Sequence, residues 1–263
     1  MRHAIRPVAL TTALVTVLVA SVGVGVARAD GTASKAANDT DPHLPLTAQQ
    51  LDVIAAKRAA ETFVSCGSCG NGGGYPSSAS LPANQTPQIT GYYCGPASVH
   101  EALDVLGAPL SQSAAAAALH TTPDGTAWSG GGTSPSGFPV PDVLNAHQSR
   151  NYYVPQSVSS ATPSAIQTYE NDLEIDIYAL GVPLIGDAWE TPSSAHHLVG
   201  HPADRTIFHW FEIRGYQSSG GSTMYEDSVH NAQSVSWHAG VPAYSTLPSS
   251  WIVSIVSGRG YVW

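Results

Sequence analysis

Charge is scarce in this 263-residue chain. Asp, Glu, Lys and Arg make up 11% of it, against about 25% in an average soluble domain. Positive charge is scarcest: 10 Lys and Arg stand against 19 Asp and Glu, a net of -9. Arg2, Arg6 and Arg28 fall in the first 29 residues, which hold no acid, so the remainder is more acidic still. Such a surface has little with which to neutralise phosphates. Nucleic acid is therefore excluded as a partner, and adhesion to anionic membranes is disfavoured. Cysteine is scarce too, at three. No second C-x-x-C accompanies Cys66 and Cys69, which argues against a structural zinc site. Only one apolar run approaches membrane-spanning length, and it lies at the N-terminus. What the chain does have is 43% hydrophobic residues, enough at this length for one core with a small appendage and too many for disorder.

The N-terminal run reads as an export signal. Arg2 and Arg6 form a short basic segment, Val8 to Val26 is uncharged and mostly apolar, and Ala27-Arg28-Ala29 is an A-x-A site. Cleavage after Ala29 leaves a secreted, extracellular protein with no membrane attachment. Residues 30–80 read as an N-terminal extension. Thr47 and Gln50 have the spacing of a capping box, which predicts a helix over about 48–63 with Leu51, Ile54, Ala55 and Phe63 as its apolar stripe. A Gly-rich linker follows, and residues 81–263 form the main domain.

Within that domain helices come first. Gly95-Pro96 opens one that carries Val99, Leu103 and Leu106, and Gly107 ends it. Short helices are expected at Ala114–Leu119 and Pro141–Arg150. A longer one starts at Thr162-Pro163 and is stopped by Gly181. Afterwards the apolar period shortens. Val182–Trp189, Thr206–Tyr216, Thr223–Val229, Val235–His238 and Trp251–Val256 are rich in β-branched and aromatic residues and bounded by Gly, Pro and Ser, which predicts strands. Helices followed by strands make an α+β fold with an antiparallel sheet.

Exported proteins meet oxidising conditions, so Cys66 and Cys69 are candidates for a small disulfide loop, which leaves Cys94 as the odd thiol. On residue type alone Cys94 would be a small buried apolar residue. Its neighbours argue otherwise. It stands at a helix start, where the partial positive charge favours a thiolate. Gln88, six residues upstream, could join the Cys94 backbone N–H in holding an oxyanion. Cys66-Gly-Ser-Cys69 resembles the C-G-S-C part of the papain nucleophile signature. However, Gly70 follows Cys69 where an aromatic belongs, Phe63 takes the Gln position, and the Gly run beyond it cannot begin a helix.

A thiolate nucleophile needs a base. His209 shares a strand face with Ile207, Phe211 and Ile213, a core-facing position that demands hydrogen-bond partners. With a hairpin centred near residue 218, Asp227 falls opposite His209 and could orient the ring. Asn231 and Asp187 are lesser candidates for that role. His196, His197 and His201 have the spacing H-H-x-x-x-H but no helical frame, and read as a solvated loop rather than a metal site. His100 points into packing or away from the thiol.

The strings Gln88 with Tyr93-Cys94-Gly95-Pro96-Ala97-Ser98, then Gly107 with Leu110-Ser111-Gln112, then His209 through Tyr216, then Asp227, are similar to the C39-like cysteine peptidases. The best-known members trim bacteriocin leader peptides. This resemblance implies a papain-like fold, N-terminal helices on a C-terminal antiparallel sheet, and a cysteine-type peptidase acting on peptide or protein. It implies Cys94 as nucleophile, His209 as base, Asp227 as its orienting acid and Gln88 in the oxyanion hole, with neither metal nor organic cofactor required. The chain departs from the leader peptidases in having no transporter and in its 30–80 extension, so double-glycine specificity does not carry over. The same triad also serves amidases and acyl transferases. A secreted binding module with Cys94 as packing is the non-catalytic alternative.

Overall fold

The computed structural model describes residues 44–66, 74–130 and 134–263. The expected export signal and its cleavage site lie outside these residues, as does the pairing of Cys66 with Cys69. No helix among the described residues is long and apolar enough to cross a membrane.

Helix α1 spans Ala48–Cys66. Its start is a reciprocal capping box: the Thr47 N–H donates to Gln50 Oε1 at 2.8 Å, and the Gln50 N–H donates to Thr47 Oγ1 at 3.2 Å. The buried face differs from the expected stripe. Leu51 is 54% exposed, while Gln50, Ile54 and Lys57 are buried. Lys57 turns inward because Asp176 waits 2.7 Å from its Nζ and the Trp263 ring lies 4.2 Å away. An ion pair thus outranks hydrophobicity in choosing the face.

Strand β1 (Ala79–Ser80) leads to helices α2 (Cys94–Val105), α3 (Gln112–Ala118) and α4 (Pro139–His147). After β2 (Pro155–Ser157) comes α5 (Pro163–Leu173), capped by Thr162, whose Oγ1 accepts from the Ala165 N–H. The helix widens into a π turn over Glu174–Leu180 and stops at Gly181, at φ 64°, a left-handed exit that suits glycine. Strands β3 (Leu184–Glu190), β4 (Ile207–Gln217) and β5 (Ser222–Glu226) form a meander. A 3-10 turn at His238–Gly240, strand β6 (Tyr244–Pro248), helix α6 (Ser249–Ile255) and strand β7 (Gly260–Val262) complete the chain.

Two expected strands are not strands. Trp251–Val256 falls largely in α6, because a short apolar run has no period long enough to separate strand from helix. Val235–His238 is a turn leading into the 3-10 segment. The other expected strands match β3, β4 and β5 within a few residues.

The seven strands form one antiparallel sheet in the order β2-β7-β3-β4-β5-β6, with β1 added against β4. Both faces are covered. Leu184, Ala188, Phe211 and Ile213 meet Tyr169 and Leu173 of α5 and Ile252 and Val253 of α6. The alternate residues Ile185, Trp210 and Val262 meet Val99 and Leu103 of α2, Ala115 of α3 and Leu144 of α4. This period-two division puts α2, α3 and α4 on one face and α5 and α6, with Ile54 of α1, on the other.

Candidate active site

The free cysteine among the described residues is Cys94, the first residue of α2. The first N–H groups of a helix have no intrahelical carbonyl to bind. Pro96 has no N–H, and the Ala97 N–H already donates to the Tyr93 carbonyl at 2.8 Å. The Cys94 and Gly95 N–H groups are those left at the sulfur's end of the helix. Gly95 is required by its surroundings: a Cβ there would come within 2.7 Å of Thr126 Cβ. Thr126 belongs to the 122–127 loop, which walls a cleft of about 220 Å³ containing Cys94, Phe208, Trp210, Asp187 and Arg259. Among the described residues none of α1 lines this cleft, and α1 docks through Lys57 on Asp176.

The segment before α2 is laced to the turn after β5. The Asn84 N–H donates to Glu226 Oε1 at 3.0 Å, Gln85 Nε2 to the Asp227 carbonyl at 3.1 Å, and the Gln88 N–H to the Ser228 carbonyl at 2.8 Å. These bonds carry the start of α2 to the end of β5. Because β5 stops at Glu226, opposite Glu212, no strand among the described residues lies beside His209 on that edge of β4. Cys94 and Asp227 both reach His209 there.

The register of Asp227 is set by a bulge. Gln217 pairs with Ser222 and Gly215 with Met224, but Ile213 pairs with Tyr225 and Glu212 with Glu226, so Arg214 is an extra residue in β4. Continuing that register sets Asp227 opposite Phe211, one diagonal step from His209 rather than directly across from it. Without the bulge Asp227 would face the other side of the sheet, since a one-residue slip exchanges faces.

His209 is 3% exposed. Its Nε2 lies 3.1 Å from Asp227 Oδ1, off the N–H axis, and the Cys94 side chain is near enough to the ring to act on its charge. With Nε2 turned to Asp227, Nδ1 is the atom left for the sulfur. Burial alone would strip the His209 proton, but the Asp227 charge, the pairing with Asp227 and the Cys94 side chain hold its pKa well above the ordinary value. Burial would likewise raise Asp227, yet His209 and His201 together pull it below the usual carboxylate range.

Gln88 is buried and fixed: Oε1 accepts from the Ser228 hydroxyl at 3.1 Å, and Nε2 donates to the Thr90 carbonyl at 2.8 Å. One amide N–H of Nε2 remains beyond that bond. The lesser candidates have other partners. Asp187 pairs with Arg259 at 3.5 Å, Asn231 contacts His230, and His100 Nδ1 bonds the Leu110 carbonyl at 2.7 Å.

One expectation is overturned. His201, read as part of a solvated loop, is buried. Its Nε2 lies 3.0 Å from Asp227 Oδ2 and its Nδ1 2.5 Å from Glu190 Oε2. The two carboxylates outweigh burial and raise its pKa to about 9. Sequence reasoning missed both His201 and Glu190. The only hint was a glutamate ending an apolar strand, followed by a His-rich loop.

His201, His209 and Asp227 bring donor atoms within 4.8 Å of one another, as a metal site would, but these atoms are spent on each other and on Glu190 and Cys94. Glu101, Glu212 and Glu226 form a second such group. Burial pushes the Glu101 and Glu212 carboxyls well up and Glu226 to about 7, so this cluster carries protons in place of full negative charge.

No curated protein matches the chain. Among solved structures it resembles the peptidase domain of Streptococcus ComA, a bifunctional ABC transporter of a quorum-sensing pathway, at 16% identity and a TM-score of 0.39, covering 70% of this chain and 96% of that one. It also resembles xylellain, a cysteine protease from Xylella fastidiosa, at 11% identity and a TM-score of 0.40, covering 84% and 88%. The model of the Peptidase C39-like family matches residues 81–252, well over half of the chain and the whole span from Gln88 to Asp227. The chain therefore belongs to the peptidase C39-like family, as an α+β, cysteine-type peptidase.

Proposed function

We propose that this protein is a secreted peptidase working through Cys94, His209 and Asp227. The observation that supports it most is the contact of the Cys94 side chain with a His209 ring whose other nitrogen sits 3.1 Å from Asp227, at the wall of a cleft. His209 holds the proton of Cys94, giving a thiolate–imidazolium pair. The thiolate attacks a peptide carbonyl carbon. The resulting oxyanion is received by the Cys94 N–H and the remaining Gln88 amide N–H. Nδ1 of His209 passes its proton to the leaving nitrogen, the C–N bond breaks, and a thioester remains. His209, now neutral, takes a proton from water, whose oxygen attacks the thioester. Collapse returns the thiolate and the imidazolium and releases the acid. Asp227 stabilises the imidazolium whenever it forms and fixes the tautomer of the neutral ring.

In this reading residues 1–29 direct export and are removed after Ala29, residues 30–80 are an extension, and residues 81–263 are the peptidase domain. A peptide pool incubated with the purified protein should show new termini by mass spectrometry, lost with Cys94→Ala or His209→Ala. Release of the same acids without added amine separates hydrolysis from acyl transfer. A wild-type protein that leaves the pool intact and whose Cys94 reacts with iodoacetamide only as a free thiol does would overturn the reading.

A further inference from the structure

Behind Asp227 lies a second layer of buried charge that the triad does not account for. Glu190, at the end of β3, accepts the Leu198 N–H on Oε1 and lies 2.5 Å from His201 Nδ1 through Oε2. His201 Nε2 lies 3.0 Å from Asp227 Oδ2, while Asp227 Oδ1 faces His209 and accepts the Val229 N–H at 2.9 Å. Glu190, His201, Asp227, His209 and Cys94 are all buried and form one unbroken chain of contacts.

We propose that His201 and Glu190 are positioning residues for the Cys94–His209–Asp227 set, with His201 donating from both ring nitrogens to lock Asp227 with Oδ1 toward His209. This rests on the peptidase reading above. Both ring nitrogens of His201 face carboxylate oxygens, which accept only, so both must carry protons and the ring is an imidazolium. A carboxylate held on one oxygen can turn about its χ2, whereas one held on both cannot. His201 cannot turn either, because Glu190 holds its far nitrogen and Trp237 lies edge-on to the ring at 4.7 Å. Charges then alternate along this chain of contacts, with Asp227 set between the two imidazolium rings. The groups facing His201 are Glu190 from β3, Asp227 from the end of β5 and His209 from β4, whose ring is 5.1 Å away. His197 stands 3.9 Å from the same Glu190. The high His201 pKa keeps the ring charged across the neutral range.

The test is the rate at which iodoacetamide alkylates Cys94 at about pH 6 and at about pH 10. A free thiol titrates near about 8.5, so only a thiolate held by imidazolium reacts fast at the lower pH, while at the higher pH any accessible thiol does. His201→Phe keeps a ring in place and removes both donors. The rate at about pH 6 should fall at least tenfold while the rate at about pH 10 stays within threefold of wild type. Glu190→Gln, equal in volume, should move the low-pH rate in the same direction by a smaller factor. It carries the test if His201→Phe does not give the wild-type circular dichroism spectrum. Folded variants with an unchanged low-pH rate, or with both rates lowered equally, overturn the positioning role while leaving the triad reading standing. Failure of that reading shows in the wild type alone, as slow labelling at about pH 6, and takes this inference with it.

Discussion

Asp227→Asn is the substitution whose effect can be worked furthest from the geometry. Asp227 Oδ1 lies 3.1 Å from His209 Nε2. Two unit charges at that separation, in an effective dielectric of about 20, attract by about 5 kcal/mol. The amide keeps part of this as a dipole, so the imidazolium loses about 2–2.7 kcal/mol, or roughly 30- to 100-fold in its population. The amide also cannot serve all its neighbours. Asp227 pairs with the His209 ring and accepts from the Val229 N–H and from His201. Asparagine has one acceptor oxygen, so its NH2 must face an N–H of one imidazole and push a proton off it. Labelling of Cys94 at about pH 6 should therefore slow by roughly 30- to 100-fold. The floor is a free thiol, which at that pH is about 300-fold short of full ionisation. Intact-protein mass spectrometry against time gives the rate. A folded Asp227→Asn protein labelled within threefold of wild type would refute the coupling of Asp227 to His209.

Three further outcomes follow from the same structure. Gly95→Ala drives a Cβ into Thr126 and should cost about 1–3 kcal/mol as the 122–127 loop gives way. Urea denaturation measures the loss, and Cys94 labelling should fall with it. Lys57→Met removes the partner of buried Asp176, which then holds its proton more firmly. The destabilisation should be about 2–3 kcal/mol at pH 8 and smaller at pH 5, read from denaturant midpoints. Global stability should also fall as pH rises from about 5 to 9. Asp172 and Glu226, raised to about 7, and Asp176, raised to about 6, bind protons in the fold that they release when unfolded. Their contribution is complete below about pH 4 and is lost as pH climbs through those values. His201, raised to about 9, loses its contribution between about 6.5 and 9. Asp227 opposes this only below about pH 4, where its lowered pKa costs stability as it protonates. A urea midpoint that rises between pH 5.5 and 8.5 would contradict this accounting.

The features that were legible in the sequence are those fixed by neighbours along the chain. Thr47 and Gln50 satisfy orphan N–H groups within one turn, Gly181 ends a helix because it tolerates φ 64°, and Gly95-Pro96 opens the helix that presents Cys94. The strand carrying His209 was visible for the same reason. The contacts that spacing cannot express were not legible. The bulge at Arg214 depends on packing across β4 and β5, so hairpin counting brings Asp227 near His209 but misses its diagonal placement. The burial of Lys57 depends on Asp176, more than a hundred residues away, and the hydrophobic pattern of α1 pointed to Leu51 instead. His201 sits in a loop without period, where a buried imidazole and a solvated one look alike until Glu190 and Asp227 close on it.

The central claim is that Cys94 and His209 exist as a thiolate–imidazolium pair, and the ultraviolet absorbance of the thiolate reads it directly. The pH titration of wild type minus that of Cys94→Ala isolates this one sulfur. The account predicts a thiolate signal already present at about pH 6 and absent there in His209→Ala. A difference signal that rises only near about 8.5, with or without His209, would contradict it.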